Sequence, residues 1–209
     1  VKFSLVRHGE TEWNKLGRFQ GQYDTQLNEA GLEQARVIAR ASREWGITAI
    51  YSSPLTRTMQ VATEMSRALD LPVHTRDGLK ELALGDLEGV EGEEMRKGWP
   101  EVFSTWNNHP ERVLMPGGES LAILEDRSWQ VILDLEQQHP KEAHLALVSH
   151  NFAIRAICGK MLGMPLENFH RLRLALGSVC TFESDERGRR LLAYNSTGHL
   201  LQPSAAAPD

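Results

Sequence analysis

Arg7-His8, Arg57, Glu81 and His150 offer the most chemistry in this chain, because each stands where a short apolar run gives way to polar residues. Hydrolysis of a phosphate monoester asks for such a set: a nucleophile, cations around the equatorial oxygens, and an acid for the departing alkoxide. A histidine nitrogen can be the nucleophile, and His8 directly follows Arg7. Arg57 falls in the first turn of an expected helix, where unpaired backbone N–H groups add to the attraction for an anion. His150 can donate a further charge-assisted hydrogen bond when protonated, a state that a dense anion favours. Glu81 precedes the Gly85 to Gly89 turn and is assigned acid-base work: it protonates the leaving oxygen, then takes a proton from the water that attacks phosphohistidine. Taken singly, each residue has an ordinary role open to it, as a solvated or capping histidine, a surface arginine, or one of 28 acidic side chains. Their joint placement at corresponding strand ends is what binds them into one site.

The elements that must position them follow from hydrophobic period. Val1 to Val6 reads as a strand that ends at Arg7-His8-Gly9. Asn28 caps a helix with Leu32, Ala35, Ile38, Ala39 and Trp45 on one face. Ala49 to Tyr51 is a second strand. Ser53-Pro54 is then a cap followed by proline at the first helical position, with Leu55, Met59, Ala62, Met65 and Leu69 as the buried stripe. A short strand near Val73 leads to Glu81. From Ala83 to Gly118 no period is sustained, and this stretch is expected to be a lid-like insertion of short helices. A helix from Ser120 to Gln138 precedes the strand Leu145 to Val148, which ends at Ser149-His150-Asn151. The helix carrying Ile154, Ile157 and Met161 and the strands Ser178 to Glu183 and Leu191 to Tyr194 complete the order. Gly117-Gly118-Glu119-Ser120 reads as a flexible turn into a helix, and residues 204–209 as a disordered tail. Strands alternating with amphipathic helices predict an α/β fold with helices on both faces of a mostly parallel sheet, as one domain over 1–203. Ligands of such folds sit outside the carboxyl ends of the strands, where Arg7-His8, Arg57 and His150 all fall.

Composition narrows the function classes. The formal charge is -5, with no run of five or more Lys or Arg, so nucleic acid is not an expected partner. The two cysteines, Cys158 and Cys180, are too few for a disulfide framework and read as buried thiols. No apolar leader and no stretch of about 18 apolar residues is found, so a cytoplasmic protein with no membrane partner is expected. Asn195-Ser196-Thr197 then matches the glycosylation pattern by accident. His-Glu-x-x-His, calcium-loop and paired-cysteine patterns are absent, and a basic cluster repels divalent cations, so no metal or other cofactor is expected. The serine-hydrolase elbow, the Walker loop and the dinucleotide fingerprint are missing as well.

Leu5-Val6-Arg7-His8-Gly9-Glu10-Thr11-Glu12-Trp13-Asn14 resembles the signature of the histidine phosphatase superfamily, also called the phosphoglycerate mutase-like family. The resemblance continues through Phe19-Gln20-Gly21, Leu27-Asn28-Glu29-Ala30-Gly31, Ser52-Ser53-Pro54-Leu55 with Arg57-Thr58, Glu81 with Gly85 and Glu88-Gly89, Gly117-Gly118-Glu119-Ser120, and Val148-Ser149-His150. It implies a three-layer α/β/α fold with a six-stranded, mostly parallel sheet and no metal. It implies that His8 is phosphorylated, with its other ring nitrogen donating to a backbone carbonyl, that Arg7, Arg57 and His150 complete the phosphate pocket, and that Glu81 is the proton donor. Asn14, Gln20 and the backbone N–H of Asn151 match further phosphate contacts, with Gly21 beside them. The chain is shorter than cofactor-dependent phosphoglycerate mutases, and the resemblance is closer to bacterial broad-specificity phosphatases acting on small phosphate esters. A mutase and a non-catalytic phosphate-binding module are the alternatives, and a homodimer is left open. His199 is comparable to a histidine of metal-independent phosphoserine phosphatases, whereas Leu84 stands where a histidine is expected for phosphoserine. Leu84 therefore points to a leaving group of apolar or sugar character, with Tyr23, Leu82, Trp99, Phe103 and Trp106 either completing an apolar rim or packing the insertion.

Overall fold

A computed structural model describes residues 1–201, and the tail read as disordered, residues 204–209, lies outside the described residues. Strands β1 (Lys2–Arg7), β2 (Ala49–Ser52), β3 (Val73–Thr75), β4 (His144–Ser149), β5 (Val179–Asp185) and β6 (Gly188–Ser196) form one sheet in the order β3-β2-β4-β1-β5-β6. β3, β2, β4 and β1 run parallel, and β5 pairs antiparallel with both β1 and β6. The helices are α1 (Glu12–Lys15), α2 (Glu29–Ser42), α3 (Thr56–Leu69), α4 (Gly92–Gly98), α5 (Pro100–Asn108), α6 (Leu121–Gln138) and α7 (Asn151–Met161).

The alternation of a strand's side chains divides the core. Phe3, Leu5, Leu145 and Leu147 face one side, where Ile132 and Leu135 of α6 and Ile154 and Ile157 of α7 cover them. Val6, Ile50, Ala146 and Val148 face the other, against Ala35 and Ile38 of α2 and Val61, Ala62 and Met65 of α3. The result is the three-layer α/β/α arrangement that the alternating pattern predicts. Cys158 and Cys180 are both buried and free in the first of these cores. A third cluster joins Leu82, Leu84, Leu87 and Met95 to Leu121 and Leu124 of α6 and Ala153 and Ala156 of α7, so α4 and α5 rest on the ends of two core helices. No helix among the described residues is long and apolar enough to cross a membrane.

Two expectations change at element ends. Trp45 lies past the end of α2 at Ser42, yet it packs on the same core from the following turn. α3 starts at Thr56 rather than after Ser53, and its first N–H is capped from a distance: Asp24 Oδ1 accepts from Thr56 N at 2.7 Å and Oδ2 from the Thr56 hydroxyl at 2.8 Å. The helix consequently buries Arg57, Thr58, Val61, Ala62 and Met65, and Met59 is only half-buried.

β1, β4 and β2 end together, with Arg7 in register with Ser149, His8 N donating to Ser149 O at 3.1 Å and Ser53 N to Val148 O at 3.0 Å. The loop after His8 is pressed onto the start of α2. A Cβ on Gly31 would lie 2.0 Å from Glu10 O, a backbone atom that cannot swing aside. Gly31→Ala is therefore expected to cost about 2 kcal/mol of stability by overpacking, read as a lower urea midpoint with unchanged slope.

Candidate active site

His8 is 3% exposed at the end of β1. Its Nδ1 lies 2.7 Å from Gly9 O, and since a carbonyl only accepts, Nδ1 carries the proton and Nε2 keeps its lone pair. Burial first, then the charges of Arg57 and Arg7, push the imidazole's pKa well below its ordinary value. The His150 ring lies 5.2 Å from it, edge to face, and is fully buried. His150 Nε2 meets Ser53 Oγ at 2.9 Å, while Nδ1 is buried with no partner. Ser53 Oγ also accepts from Leu55 N at 3.3 Å, so its hydroxyl serves His150 and the turn ahead of α3 rather than the helix's own N–H groups. Burial and then Arg57 also lower the His150 pKa well below the usual histidine range.

Arg57, 1% exposed, donates to Tyr23 O at 2.9 Å and Gly21 O at 2.7 Å. Arg7 donates to Leu174 O. Each of the two Nε atoms is buried and unpaired. Neither guanidinium has a carboxylate within salt-bridge distance among the described residues. Desolvation brings both down to about 10, with the charge of Glu81 opposing the shift. Two cations are thus held by carbonyl dipoles alone, an arrangement that favours an anion in their midst.

Glu81 lines the same cavity as both arginines and is 7% exposed. Its Oε1 accepts from Leu82 N at 2.9 Å, Phe152 N at 3.1 Å and Ala153 N at 3.2 Å. The side chain so occupies the second and third N–H groups of α7 and leaves the first, on Asn151, without an intrahelical acceptor. Asn14 and Gln20 each spend the amide oxygen on a neighbour: Asn14 Oδ1 takes the Thr11 N–H at 3.1 Å and Gln20 Oε1 the Thr25 hydroxyl at 2.6 Å. Both amide nitrogens are then free to donate.

A cavity of about 250 Å³ gathers Arg7, His8, Asn14, Gln20, Gly21, Arg57, Glu81, Leu84 and Asn151, with Gly17, Arg18, Phe19 and Phe152 completing its wall. His150 sits behind His8 rather than on the cavity surface. His199 is not brought to it. Its Nε2 pairs with Gly177 O at 2.9 Å, and Gly177 N in turn donates to His8 O at 3.1 Å, so His199 supports the backbone under His8 instead of reaching a ligand. The aromatics of the insertion pack inward: Trp99 and Phe103 join the third core, and Trp106 sets its edge on Phe152 at 5.4 Å. Leu82 is fully buried, and Tyr23 stacks on Trp13 at 4.6 Å. The apolar wall is made by Leu84 with Phe19 and Phe152, whose signal in the sequence was their place beside Gln20 and His150. Among the described residues no three His, Cys, Asp or Glu are grouped to hold a metal ion.

Residues 3–197 match the histidine phosphatase superfamily, branch 1. The chain belongs to that superfamily. It is 36% identical over 200 residues to phosphoserine phosphatase 1 of Hydrogenobacter thermophilus, covering 96% of this chain and 94% of the relative. A Yersinia pestis protein named as a phosphoglycerate mutase, GpmB, is 35% identical over 205 residues, covering 96% and 95%. The solved structure of a mycobacterial glucosyl-3-phosphoglycerate phosphatase superposes with a TM-score of 0.86 at 27% identity, covering 94% of this chain and 99% of that one.

The lowered pKa values of His8 and His150 carry a stability consequence. Below about pH 6.5 the unfolded chain binds protons that the folded protein refuses, so stability falls as pH drops, each histidine approaching about 1.4 kcal/mol per pH unit. His139, His144 and His199 are shifted the same way by burial. Urea unfolding at pH 7.5 and 5.5 is expected to show the loss, and saturating orthophosphate to lessen it, because the anion favours the protonated rings. An apo protein equally stable at both pH values contradicts the assignment.

Proposed function

We propose that this protein, a phosphatase of the histidine phosphatase superfamily, hydrolyses small organic phosphate monoesters through a phosphohistidine on His8. The observation that carries the reading is the base-form Nε2 of His8 beside two buried guanidiniums that have no counter-ion, with Glu81 in the same cavity. His8 Nε2 attacks phosphorus, the P–N bond forms, and the ester P–O bond breaks with its electron pair leaving on oxygen. Arg7, Arg57, the amides of Asn14 and Gln20, and the Asn151 N–H supply fixed donors for the charge on the equatorial oxygens, and His150 backs the His8 ring from outside the cavity. Glu81 gives the leaving oxygen a proton. It then takes one from water, whose oxygen bonds to phosphorus as the P–N bond breaks and its electron pair returns to His8. The leaving group lies against Phe19, Leu84 and Phe152, which supports a leaving group with apolar surface.

One observation favours a second reading, in which the phosphoryl group returns to a bound product as in a mutase. A neighbouring cavity of about 590 Å³ shares Asn151 and is lined by Arg155, His170 and Arg173 with no carboxylate among its residues, space suited to a second anionic group.

With a nitrophenyl phosphate, turnover is expected to survive a chelator and to fall at least about 10³-fold in His8→Ala, while rapid quenching in base traps an acid-labile label on His8. No turnover across a broad panel of phosphate esters overturns the proposal. Strict dependence on a bisphosphate primer, with interconversion of phosphoglycerates, moves it to the mutase reading. Leu84→His is expected to raise relative kcat/KM for phosphoserine over apolar esters; unchanged ratios remove Leu84 as a selector.

A further inference from the structure

The Gly117-Gly118-Glu119-Ser120 segment, read from sequence as a flexible turn, is tightly packed. A Cβ on Gly118 would lie 2.2 Å from Ala83 O, and one on Gly85 2.1 Å from Pro116 O. Glu119 N donates to Ala83 O and Asp86 N to Pro116 O, both at 2.9 Å, so the two ends of the insertion are clasped together two residues beyond Glu81.

Below this clasp, Arg127 of α6 divides all its donor nitrogens between the Glu119 carboxylate and one short stretch of chain. Its Nε and one terminal nitrogen grip the Glu119 carboxylate at 2.8 Å each. The remaining bonds go to Gly78 O at 2.9 Å, Lys80 O at 2.8 Å and Glu81 O at 2.7 Å. Glu119 Oε2 also accepts from Ala83 N at 2.9 Å, and Gln22 Nε2 meets Glu81 O at 3.1 Å. Burial alone would raise the Glu119 carboxyl, but hydrogen bonds from Arg127 and Ala83 outweigh it and hold the group below its ordinary value. The pair therefore stays ionised, and its planar fork fixes the backbone on both sides of Glu81. Arg127 and Glu119 do not line the catalytic cavity. A guanidinium spent on three carbonyls of a single loop is a device for orientation.

We propose that Arg127 and Glu119 are positioning residues for Glu81, setting the direction of its carboxyl toward the leaving oxygen and leaving the phosphate-binding cations untouched. This rests on the reading of Glu81 as the proton donor. Proton donation matters for a poor leaving group and little for a good one, so the pair governs the hydrolysis of alkyl phosphates and leaves nitrophenyl phosphate almost alone.

The test is kcat/KM, which reports the phosphorylation step, for a series of aryl and alkyl phosphates with wild type, Arg127→Met, Arg127→Lys, Glu119→Gln and Glu81→Gln. In Arg127→Met the alkyl esters are expected to lose roughly 30- to 100-fold and nitrophenyl phosphate less than about 3-fold, with inhibition by orthophosphate within about 2-fold of wild type. Glu119→Gln keeps the shape of the clasp and is expected to shift in the same direction by a smaller factor, so it carries the test if Arg127→Met does not fold. Combining Arg127→Met with Glu81→Gln is expected to cost little more than Glu81→Gln alone, since both act on one proton transfer. An equal fall for all leaving groups, weakened orthophosphate binding, or additive losses in the double variant each overturn the inference while the phosphohistidine reading stands. Absence of label on His8 in wild type overturns that reading, and this inference with it.

Discussion

Two guanidinium groups buried without a carboxylate to neutralise them are the constraint around which this protein is arranged. Removing Arg7 and Arg57 from water is costly, and the chain offsets that cost with carbonyl oxygens of Gly21, Tyr23 and Leu174. Those carbonyls belong to irregular segments, because only backbone outside the ladders has acceptors to spare. The loop after α1 and the residues ahead of β5 are therefore committed to holding cations. They can do so only if β1 and β2 deliver Arg7 and Arg57 to the same end of the sheet, which parallel pairing through β4 brings about. A net charge of -5 over the whole chain coexists with a strongly anion-seeking point because Glu81 is the one acidic residue in the cavity wall and it pairs with backbone N–H groups instead of the arginines.

Such a cluster invites collapse onto the nearest carboxylate, and Glu81 is near enough for both arginines to feel its charge. An ion pair there would fill the anion site and remove the acid from use. The fold prevents this by giving the carboxylate other partners, the N–H groups of Leu82, Phe152 and Ala153, and by anchoring the loop that carries it from below. The start of α7 is divided between two anions: its second and third N–H groups hold Glu81, and its first is left for a ligand. In the proposed mechanism one helix terminus sets the distance between the acid and the phosphoryl group.

How far this was legible in the sequence depends on the range of each interaction. The strand ends at Arg7-His8 and Ser149-His150 and the Asn28 cap are written in adjacent residues, and the period of the apolar positions separates the two faces of the sheet. The start of α3 escapes a local reading because its cap is Asp24, 32 residues away, and because Ser53, the local candidate, gives its hydroxyl to His150 and to Leu55 N. His199 matches a family position, yet in this fold it meets Gly177 and lies outside the cavity around His8. Arg127 carries no local mark at all. It is an arginine in the middle of an amphipathic helix, and its role exists only because the turn at Gly117-Gly118 and the loop at Gly78 to Glu81 converge on it.

The two ends of the cavity also answer to different parts of the fold. The end proposed for the phosphoryl group belongs to the sheet, where the ends of β1, β2 and β4 place His8, His150 and Arg7 directly and Arg57 through the start of α3. The leaving-group end is the outer surface of the insertion core: Phe19, Leu84 and Phe152 line the cavity on one side and on the other meet Leu87, Met95, Trp106 and Met115, which leave almost no free space behind them. A side chain in that second layer cannot change size without moving the wall in front of it, because a close-packed interior transmits strain. Substrate choice in this architecture can therefore drift through substitutions that touch no ligand, at Met95 or Trp106 for example, while the phosphoryl chemistry stays fixed by the sheet. The division follows from where the apolar core of the insertion ends, one side chain short of the reacting atoms.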